Sequence, residues 1–556
     1  MTMLISRIRA AEPLGLCSYA NALGAATGDF SAAISDMSRA VDDACGSWQG
    51  DAAAAASLRA LDEKLAGNHV ETAVLALADT CGDVGRRLDE LRTAVLSIVD
   101  GEARAEWMAV ADDGTVTAPT MYSANPIIDA LAQKQFDDSA AWMQSRIRGL
   151  LGQLDAVDDQ GATAIAERLA AIDALRSAPD GAPVGAKVQA ILDGRGELPS
   201  DPAQLDTLWR ALSPTEKDAL FEHDPFLGNR DGISHLDRDH YNRLNLQSMQ
   251  ERALREGDGD RAAELDGISK TLVAADGQPR RFLSLLDAEG HVAVALNNPD
   301  TAPNVTTYVP GTGSGLGSLD SDVARAQTMY KQATFSGAPA STSVITWLGY
   351  TAPPEIPDAA GIGYADRGAP ALDGFQDGLR VTHDGERSHN VVLGHSYGTT
   401  LVGTAASQGR TLDADALVFV ASPGTSVNHV TDLSLTGISG DEIGDHVFST
   451  KSARDPVPLF ADTHRIAVRT LGSPGAAWAA FDKFVEGHDG GPFGVDPTRA
   501  DFGGRAFTSD AGPAGPLLGY NTDAHSDYWD YNPDGSPSRS LRNMALVIAG
   551  RSEDLT

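Results

Sequence analysis

The chain has 556 residues, with 43 Lys and Arg against 77 Asp and Glu, so its formal net charge is −34. That length exceeds one ordinary domain and suggests two to four. The negative field repels phosphate backbones and anionic lipid headgroups, so we expect no nucleic-acid binding. The hydrophobic share of 42% is ordinary for a folded protein with sizeable cores.

No stretch reaches the roughly 18 uninterrupted apolar residues of a membrane-spanning helix. The N-terminus lacks the hydrophobic region and cleavage site of a signal peptide. We therefore expect no membrane span, and either a cytoplasmic location or export by a route without a signal peptide. The three cysteines, Cys17, Cys45 and Cys81, are too few for a disulfide framework, and no Cys/His spacing indicates a metal site.

Apolar residues near the N-terminus recur in steps of three and four, which is the pattern of a heptad seam. The first seam contains Leu23, Phe30, Ile34, Met37, Val41 and Trp48, with Thr27 and Ala44 between them, and the second contains Val74, Leu77, Cys81, Val84, Leu88, Leu91, Val95 and Ile98. We predict two long helices, joined near Ser47–Gly50 and folded back as an antiparallel hairpin. Cys17 and Cys81 are equidistant from Gln49, so a disulfide between them is one hypothesis and two buried thiols the other.

The next part of the chain is predicted to be mainly helical. Residues 105–119 alternate between apolar and polar side chains around Asp112–Gly114, which predicts a small β-hairpin. Helical patterns resume near Pro126 and run, with breaks at 158–161 and 179–181, to about Leu220. A further helix is predicted from about Leu244 to Val273.

Short apolar runs rich in β-formers then alternate with helical patterns. The runs are Phe282–Leu286, His291–Leu296, Val305–Val309, Val344–Leu348, Val391–Leu393, Ala416–Val420 and Val447–Ser449, with a last strand near Arg505–Thr508. This alternation predicts an α/β domain with a mostly parallel sheet covered on both faces. We predict a helical hairpin at 1–104, a small β-hairpin and helical region at 105–275, and an α/β catalytic domain at 276–556.

A candidate nucleophile lies in Gly394–Gly398, whose sequence is Gly-His-Ser-Tyr-Gly. This pattern alone is weak evidence in a chain with 57 glycines. Its context is more specific, because Val391–Leu393 reads as a strand and residues 399–406 suit a helix. A strand-to-helix elbow holds a serine in a sparsely populated backbone conformation and exposes its hydroxyl. We predict that Ser396 is the nucleophile.

A serine hydroxyl needs a base, and the base needs a carboxylate that orients it. In this type of fold the acid follows the serine and the histidine follows the acid. Asp455, just beyond the run Val447–Ser449, is the candidate acid, and His525 is the candidate base. The alternatives are that Asp455 forms an ordinary Asp-Pro turn, and that His464 or His488 is the base.

The negative oxygen formed during acyl transfer needs two backbone N–H donors. Tyr397, directly after the serine, is expected to supply one of them. Gly311 or Thr312, in the glycine-rich loop Pro310–Gly315, is expected to supply the other. That loop could instead hold a phosphate, but it lacks the Gly-Lys-Ser/Thr ending of a phosphate-binding loop and lies in an acidic chain.

Several segments from Leu205 onward carry a family resemblance. They are Trp209–Pro214, Phe226–Ile233, Val309–Gly313, Trp347–Pro353, the Ser396 elbow, Ala421–Gly424, Asp455–Val457 and His525–Trp529. Together they resemble an actinobacterial α/β-hydrolase family of unknown function. The resemblance implies the α/β-hydrolase fold and a triad of Ser396, Asp455 and His525. It implies no substrate.

The N-terminal seams, with Trp48-Gln49-Gly50 between them, resemble the WXG-type helical hairpins of type VII secretion substrates and their partners. The resemblance implies a helical protein partner or self-association through the hairpin, and export by a type VII-like route. The chain departs from that family because the Tyr-x-x-x-Asp/Glu export signal is absent from its sequence.

We predict a carboxylesterase-like serine hydrolase that cleaves an ester or related acyl bond of a small molecule through an acyl-enzyme at Ser396. The chemistry requires no cofactor and no metal. The alternative is a secretion-associated or scaffolding protein with a partner-binding helical hairpin, whose hydrolase domain is vestigial or serves as an effector. An incomplete triad would favour that alternative.

Overall fold

The computed structural model describes residues 3–47, 51–120, 122, 126–176, 184–275, 278–355, 357–457, 493–515 and 520–556. The chain divides into two compact units, Met1–Ala182 and Pro183–Thr556. This division lies inside the predicted middle segment, 105–275, rather than at either of its ends. None of the described helices combines the length and the apolar character that a membrane crossing needs.

The described residues of the first unit are helical except for turns and one small hairpin. Its helices are α1 (Ile5–Ala10), α2 (Leu14–Ser47), α3 (Asp51–Leu96), α4 (Ala103–Ala105) and α5 (Pro126–Arg176), and a π-helical turn, Ser97–Glu102, joins α3 to α4. Strands β1 (Ala109–Val110) and β2 (Val116–Thr117) form the predicted antiparallel hairpin. The core contains Ile5, Ile8, Val95, Ile98, Ala103, Met108, Val116, Ala140, Met143, Ile147, Leu151 and Leu154.

Helices α2 and α3 run antiparallel, because residues early in α2 meet residues late in α3. Cys17 donates to the carbonyl of Gly82 at 3.5 Å, whereas Ile34, further along α2, packs against Gly67. Cys17 and Cys81 are both free thiols, so the disulfide hypothesis is wrong for this structure. The predicted bend at Trp48-Gln49-Gly50 lies outside the described residues.

The second heptad seam faces inward, but the first is only partly buried. Thr27 is buried on α2, whereas Phe30 and Met37 are 41% and 38% exposed. Ile34, which lies between them in the seam, packs against Gly67 of α3. Phe30 and Met37 are therefore more exposed than the predicted packing face implies.

Two predicted helix boundaries are also wrong. Helix α5 runs without a break through residues 158–161, because Gly161 lies where α5 packs against α3: a Cβ there would be 2.6 Å from Cγ1 of Val84. The helix predicted from Leu244 to Val273 is two helices, separated by Gly257 with a φ of 73°. The predicted break at 179–181 lies outside the described residues.

The second unit contains the sheet. Its helices are α6 (Ala186–Leu192), α7 (Pro202–Ala211), α8 (Pro214–His223), α9 (His235–Glu256), α10 (Gly259–Thr271), α11 (Leu319–Phe335), α12 (Gly363–Thr382), α13 (Tyr397–Ala405) and α14 (Arg539–Ile548). Its strands are β3 (Arg281–Leu286), β4 (Val292–Leu296), β5 (Asn304–Val309), β6 (Ser343–Leu348), β7 (His389–His395), β8 (Ala416–Val420), β9 (Val447–Thr450) and β10 (Arg505–Ala506).

The eight strands found among the described residues of this unit form one sheet in the order β10-β9-β8-β7-β5-β6-β4-β3. Neighbours from β10 to β6 are parallel, and β4 is antiparallel to both β6 and β3. Alternate residues of a strand enter two different cores: Val391 and Leu393 pack on one face and Val392 on the other. Both faces are therefore covered, which confirms the predicted α/β-hydrolase fold with a mostly parallel sheet.

Helices α9 and α10 pack in the same core as the sheet. Leu246 of α9 and Leu265 of α10 belong to the cluster that contains Val294 of β4 and Leu393 of β7. These helices precede residue 276, where the sequence analysis begins the catalytic domain. Their apolar faces complete the sheet's packing, so the unit that carries the sheet begins earlier in the chain.

We expect Leu265→Ala to lower the free energy of unfolding by about 2–5 kcal/mol, because it empties a fully buried position. The matched control is Leu254→Ala on α9, where the side chain is 71% exposed and the expected loss is under about 0.5 kcal/mol. Urea unfolding measures both. Equal losses would contradict the assignment of α9 and α10 to the sheet's core.

Candidate active site

Ser396 occupies a sharp turn between a strand and a helix. Strand β7 ends at His395 and α13 begins at Tyr397, so Ser396 alone makes the reversal, with a φ of 55° and a ψ of −129°. Such a conformation is costly for a residue with a side chain and persists only when the surroundings impose it. The N–H of Ser396 donates to the carbonyl of Val420 on β8 at 3.0 Å, which ties the turn to the sheet.

The two glycines of the elbow lie where no side chain fits. A Cβ on Gly394 would be 2.7 Å from Cα of Thr399, and a Cβ on Gly398 would overlap the carbonyl oxygen of Val309. The elbow is thus pressed against its own helix on one side and against the end of β5 on the other. This contact brings the loop after β5 to the serine.

Gly311 in that loop lies directly against the elbow. A Cβ built on Gly311 would be 2.8 Å from Cβ of Ser396 and 2.9 Å from the backbone nitrogen of Tyr397. Within the described residues, no acceptor is hydrogen-bonded to the N–H of Thr312 or of Tyr397. The structure therefore places Gly311 against the serine and leaves the N–H groups of Thr312 and Tyr397 available as donors.

Two hydrogen bonds with the segment after β6 fix the loop Pro310–Gly315. Tyr350 donates its hydroxyl to the carbonyl of Pro310 at 2.9 Å, and the N–H of Gly313 donates to the carbonyl of Pro353 at 2.8 Å. Tyr350 is itself buried, so the first bond is shielded from water. These bonds fix the approach of Gly311 to the elbow.

Asp455 and His525 form a hydrogen-bonded pair. Nδ1 of His525 lies 3.0 Å from Oδ1 and 2.9 Å from Oδ2 of Asp455, which is buried in the loop after β9. Asp455 also accepts the N–H of Val457 at 2.9 Å, so it stabilises the Asp-Pro turn as well. The competing bases, His464 and His488, lie outside the described residues.

The pairing sets the tautomer of the imidazole. A carboxylate accepts a proton at Nδ1, so Nε2 of His525 carries the lone pair that a general base needs. Among the described residues, no hydrogen bond joins the Ser396 hydroxyl to His525. In ligand-free enzymes the bond between nucleophile and base is often long and tightens only in the substrate complex.

His395, which the sequence analysis did not single out, contacts the candidate base directly. Its Nε2–H donates to the backbone carbonyl of His525 at 2.9 Å, and the two ring centroids are 4.8 Å apart. Burial, and then the charge of His525, hold the pKa of the His395 imidazole well below its usual value, so His395 is neutral. The motif could not reveal this role, because its second position accepts any residue.

Tyr528 is a second residue that sequence reasoning missed. Its hydroxyl donates to Oδ2 of Asp455 at 2.8 Å and accepts the N–H of Ser452 at 2.7 Å. The only signal was its place in the segment His525–Trp529, which carries part of the family resemblance.

One described cluster in this unit has the composition of a metal site. The potential ligand atoms of Asp287, Glu289 and His291, in the turn between β3 and β4, lie within 4.8 Å of one another. Asp287 accepts the backbone N–H groups of both Glu289 and His291 at 2.9 Å, and its Oδ2 lies 2.6 Å from Nδ1 of His291. These bonds explain the cluster as the stabilisation of a hairpin turn.

A family model described as alpha/beta hydrolase matches residues 287–463. An uncharacterized protein of Mycobacterium tuberculosis is 30% identical over 271 residues, which cover 48% of this chain and 38% of that protein. An uncharacterized protein of Mycobacterium bovis is 30% identical over 233 residues, which cover 40% of this chain and 79% of that protein. The chain thus spans less than half the length of the first of these relatives.

Solved structures with a similar fold include two esterases. An esterase from Mycobacterium marinum matches with a TM-score of 0.27 and 12% identity, over 55% of this chain and 90% of its own. An arylesterase matches with a TM-score of 0.28 and 13% identity, over 56% and 98%.

We expect Gly311→Ala to lower kcat/KM for ester hydrolysis by about 100-fold or more, because its Cβ would push the loop's N–H groups away from the elbow. The matched control is Gly317→Ala in the same loop region, where a Cβ meets nothing within 4 Å. Steady-state hydrolysis of p-nitrophenyl acetate measures both variants. Equal activities would contradict a role for the Gly311 approach.

Proposed function

We propose that this chain, which belongs to the alpha/beta hydrolase family, is a serine hydrolase that cleaves an ester or related acyl bond. The observation that carries this proposal is the pairing of the buried Asp455 with the half-buried His525, whose carbonyl contacts the residue next to Ser396. A buried carboxylate that orients an imidazole beside a strained serine is the arrangement that acyl transfer requires.

In the acylation step, Ser396 Oγ attacks the acyl carbon of the substrate while Nε2 of His525 takes the hydroxyl proton. The carbonyl oxygen becomes negative and accepts hydrogen bonds from the N–H of Tyr397 and from that of Gly311 or Thr312. Asp455 stabilises the imidazolium. The imidazolium then gives its proton to the leaving alcohol, and the acyl group remains on Ser396.

In the deacylation step, His525 takes a proton from water, and the hydroxide formed attacks the acyl-enzyme. The second tetrahedral intermediate uses the same backbone donors. It collapses to release the acid and restores the Ser396 hydroxyl with the proton held by His525. Each proton that leaves one oxygen arrives at another, so the reaction uses only water and groups of the chain itself.

The proposed substrate is a small molecule with an ester bond, and thioesters and amides share the same chemistry. The contrary proposal is a partner-binding protein of WXG-like type, with an inactive hydrolase unit. The exposed Phe30 on α2 is compatible with partner binding. The contrary proposal requires a defective catalytic set, and the intact Asp455–His525 pair favours the enzyme.

We expect Ser396→Ala to lower kcat/KM for p-nitrophenyl acetate by at least about 1,000-fold, because the nucleophile is lost. His525→Ala is expected to have a similar effect. The double variant should lose no more than either single variant, since the two groups act as one unit.

The matched control is Ser526→Ala, an exposed serine beside the candidate base, which is expected to keep its rate within about twofold. Retention of more than about a tenth of the wild-type rate by Ser396→Ala would refute the proposed nucleophile.

A further inference from the structure

A buried phenol contacts the candidate acid at the carboxylate oxygen that also faces the base. Tyr528 is 2% exposed, and its oxygen bridges the N–H of Ser452 and Oδ2 of Asp455. The same Oδ2 lies 2.9 Å from Nδ1 of His525. One carboxylate oxygen is therefore shared between the phenol and the imidazole.

The direction of the phenol hydrogen follows from these partners. The N–H of Ser452 can only donate, so the single O–H of Tyr528 points to Asp455. Burial, and then the negative charge of Asp455, raise the pKa of the Tyr528 phenol above its usual value. Tyr528 thus remains a donor throughout the neutral pH range.

We propose that Tyr528 is a positioning residue that orients the Asp455 carboxylate and, by donating to it, limits how strongly Asp455 favours the protonated form of His525. This inference rests on the proposed function, since it assigns His525 the part of general base. Tyr528 then controls the pH at which His525 becomes active as a base.

The physical basis is competition for the charge of one carboxylate. A hydrogen bond from O–H to a carboxylate is charge-assisted and takes part of the negative charge. Without it, more of that charge acts on Nδ1 of His525, which stabilises the imidazolium. A base that holds its proton more tightly becomes active only at higher pH.

Other ionisable groups also surround the pair. They are His395 on β7, Arg325 on α11, Lys451 and Arg454 after β9, Asp496, and Asp523, Asp527 and Asp530 on the base's own loop. His395 is neutral, as its lowered pKa indicates, and Lys451 pairs with Asp496. A change confined to the phenol leaves all these groups in place, so a difference between two pH profiles isolates the hydrogen bond.

The first test is Tyr528→Phe, which keeps the ring and removes the donor. We expect the pH of half-maximal kcat for p-nitrophenyl acetate hydrolysis to rise by up to about one unit, and kcat to fall about tenfold. KM should change little, because the phenol is buried and its hydrogen bonds go to Asp455 and Ser452 rather than to solvent.

The second test replaces Tyr528 by 3-fluorotyrosine, whose phenol is a stronger donor. The midpoint should then shift to lower pH, opposite to the shift in Tyr528→Phe. A side chain that only fills space would not give shifts of opposite sign. The 3-fluorotyrosine variant also tests the role of Tyr528 if Tyr528→Phe does not fold.

Trp529→Phe is the matched control for a change in a neighbouring buried ring. The indole Nε1 of Trp529 is buried and hydrogen-bonds to no described residue, so its loss removes no bond to Asp455. The pH of half-maximal kcat in Trp529→Phe should therefore match that of the wild type.

The two proposals fail in different ways. A wild-type protein that does not hydrolyse the ester overturns the proposed function. If the wild type is active, and the Tyr528→Phe and 3-fluorotyrosine variants both have the wild-type pH midpoint, only the proposed role of Tyr528 is overturned. A downward shift in Tyr528→Phe would overturn it equally.

Discussion

The close approach of two backbone segments is the constraint on which the candidate site depends. The turn after β7 and the loop after β5 touch at Gly398 and Gly311, where a side chain would overlap the opposing backbone. The contact is possible because β5 and β7 are adjacent parallel strands that end at the same edge of the sheet. Strain at Ser396, the placement of its hydroxyl and the positions of the backbone donors all follow from that contact.

The base loop is held to this edge at several points, through polar contacts that are buried or partly buried. His525 binds Asp455 through its ring and His395 through its carbonyl, and Tyr528 binds both Asp455 and Ser452. Networks whose members are all satisfied are rigid, since each lost bond leaves a buried group without a partner. The loop thus connects β7, which carries the serine, to the turn that follows β9.

Much of the fold could be predicted from the sequence, because strands buried on both faces appear as short apolar runs and the helices between them as periodic patterns. The order of Ser396, Asp455 and His525 also follows from the sequence, while their roles stay predictions. Local sequence patterns failed to predict features that depend on tertiary contacts. Gly161 looked like a helix break and proved to be a packing contact. Tyr528 had no signal beyond its place in a family-like segment, and His395 had none, because their partners lie far away in the chain.

The central claim is that Ser396 forms the covalent acyl-enzyme. Peptide mapping by mass spectrometry after treatment with a fluorophosphonate tests it most directly, because the reagent marks activated serines and the adduct survives digestion. We predict one adduct, on the peptide that contains Ser396, and none in Ser396→Ala. Labelling of another serine, or equal labelling of Ser396→Ala and the wild type, would contradict the claim.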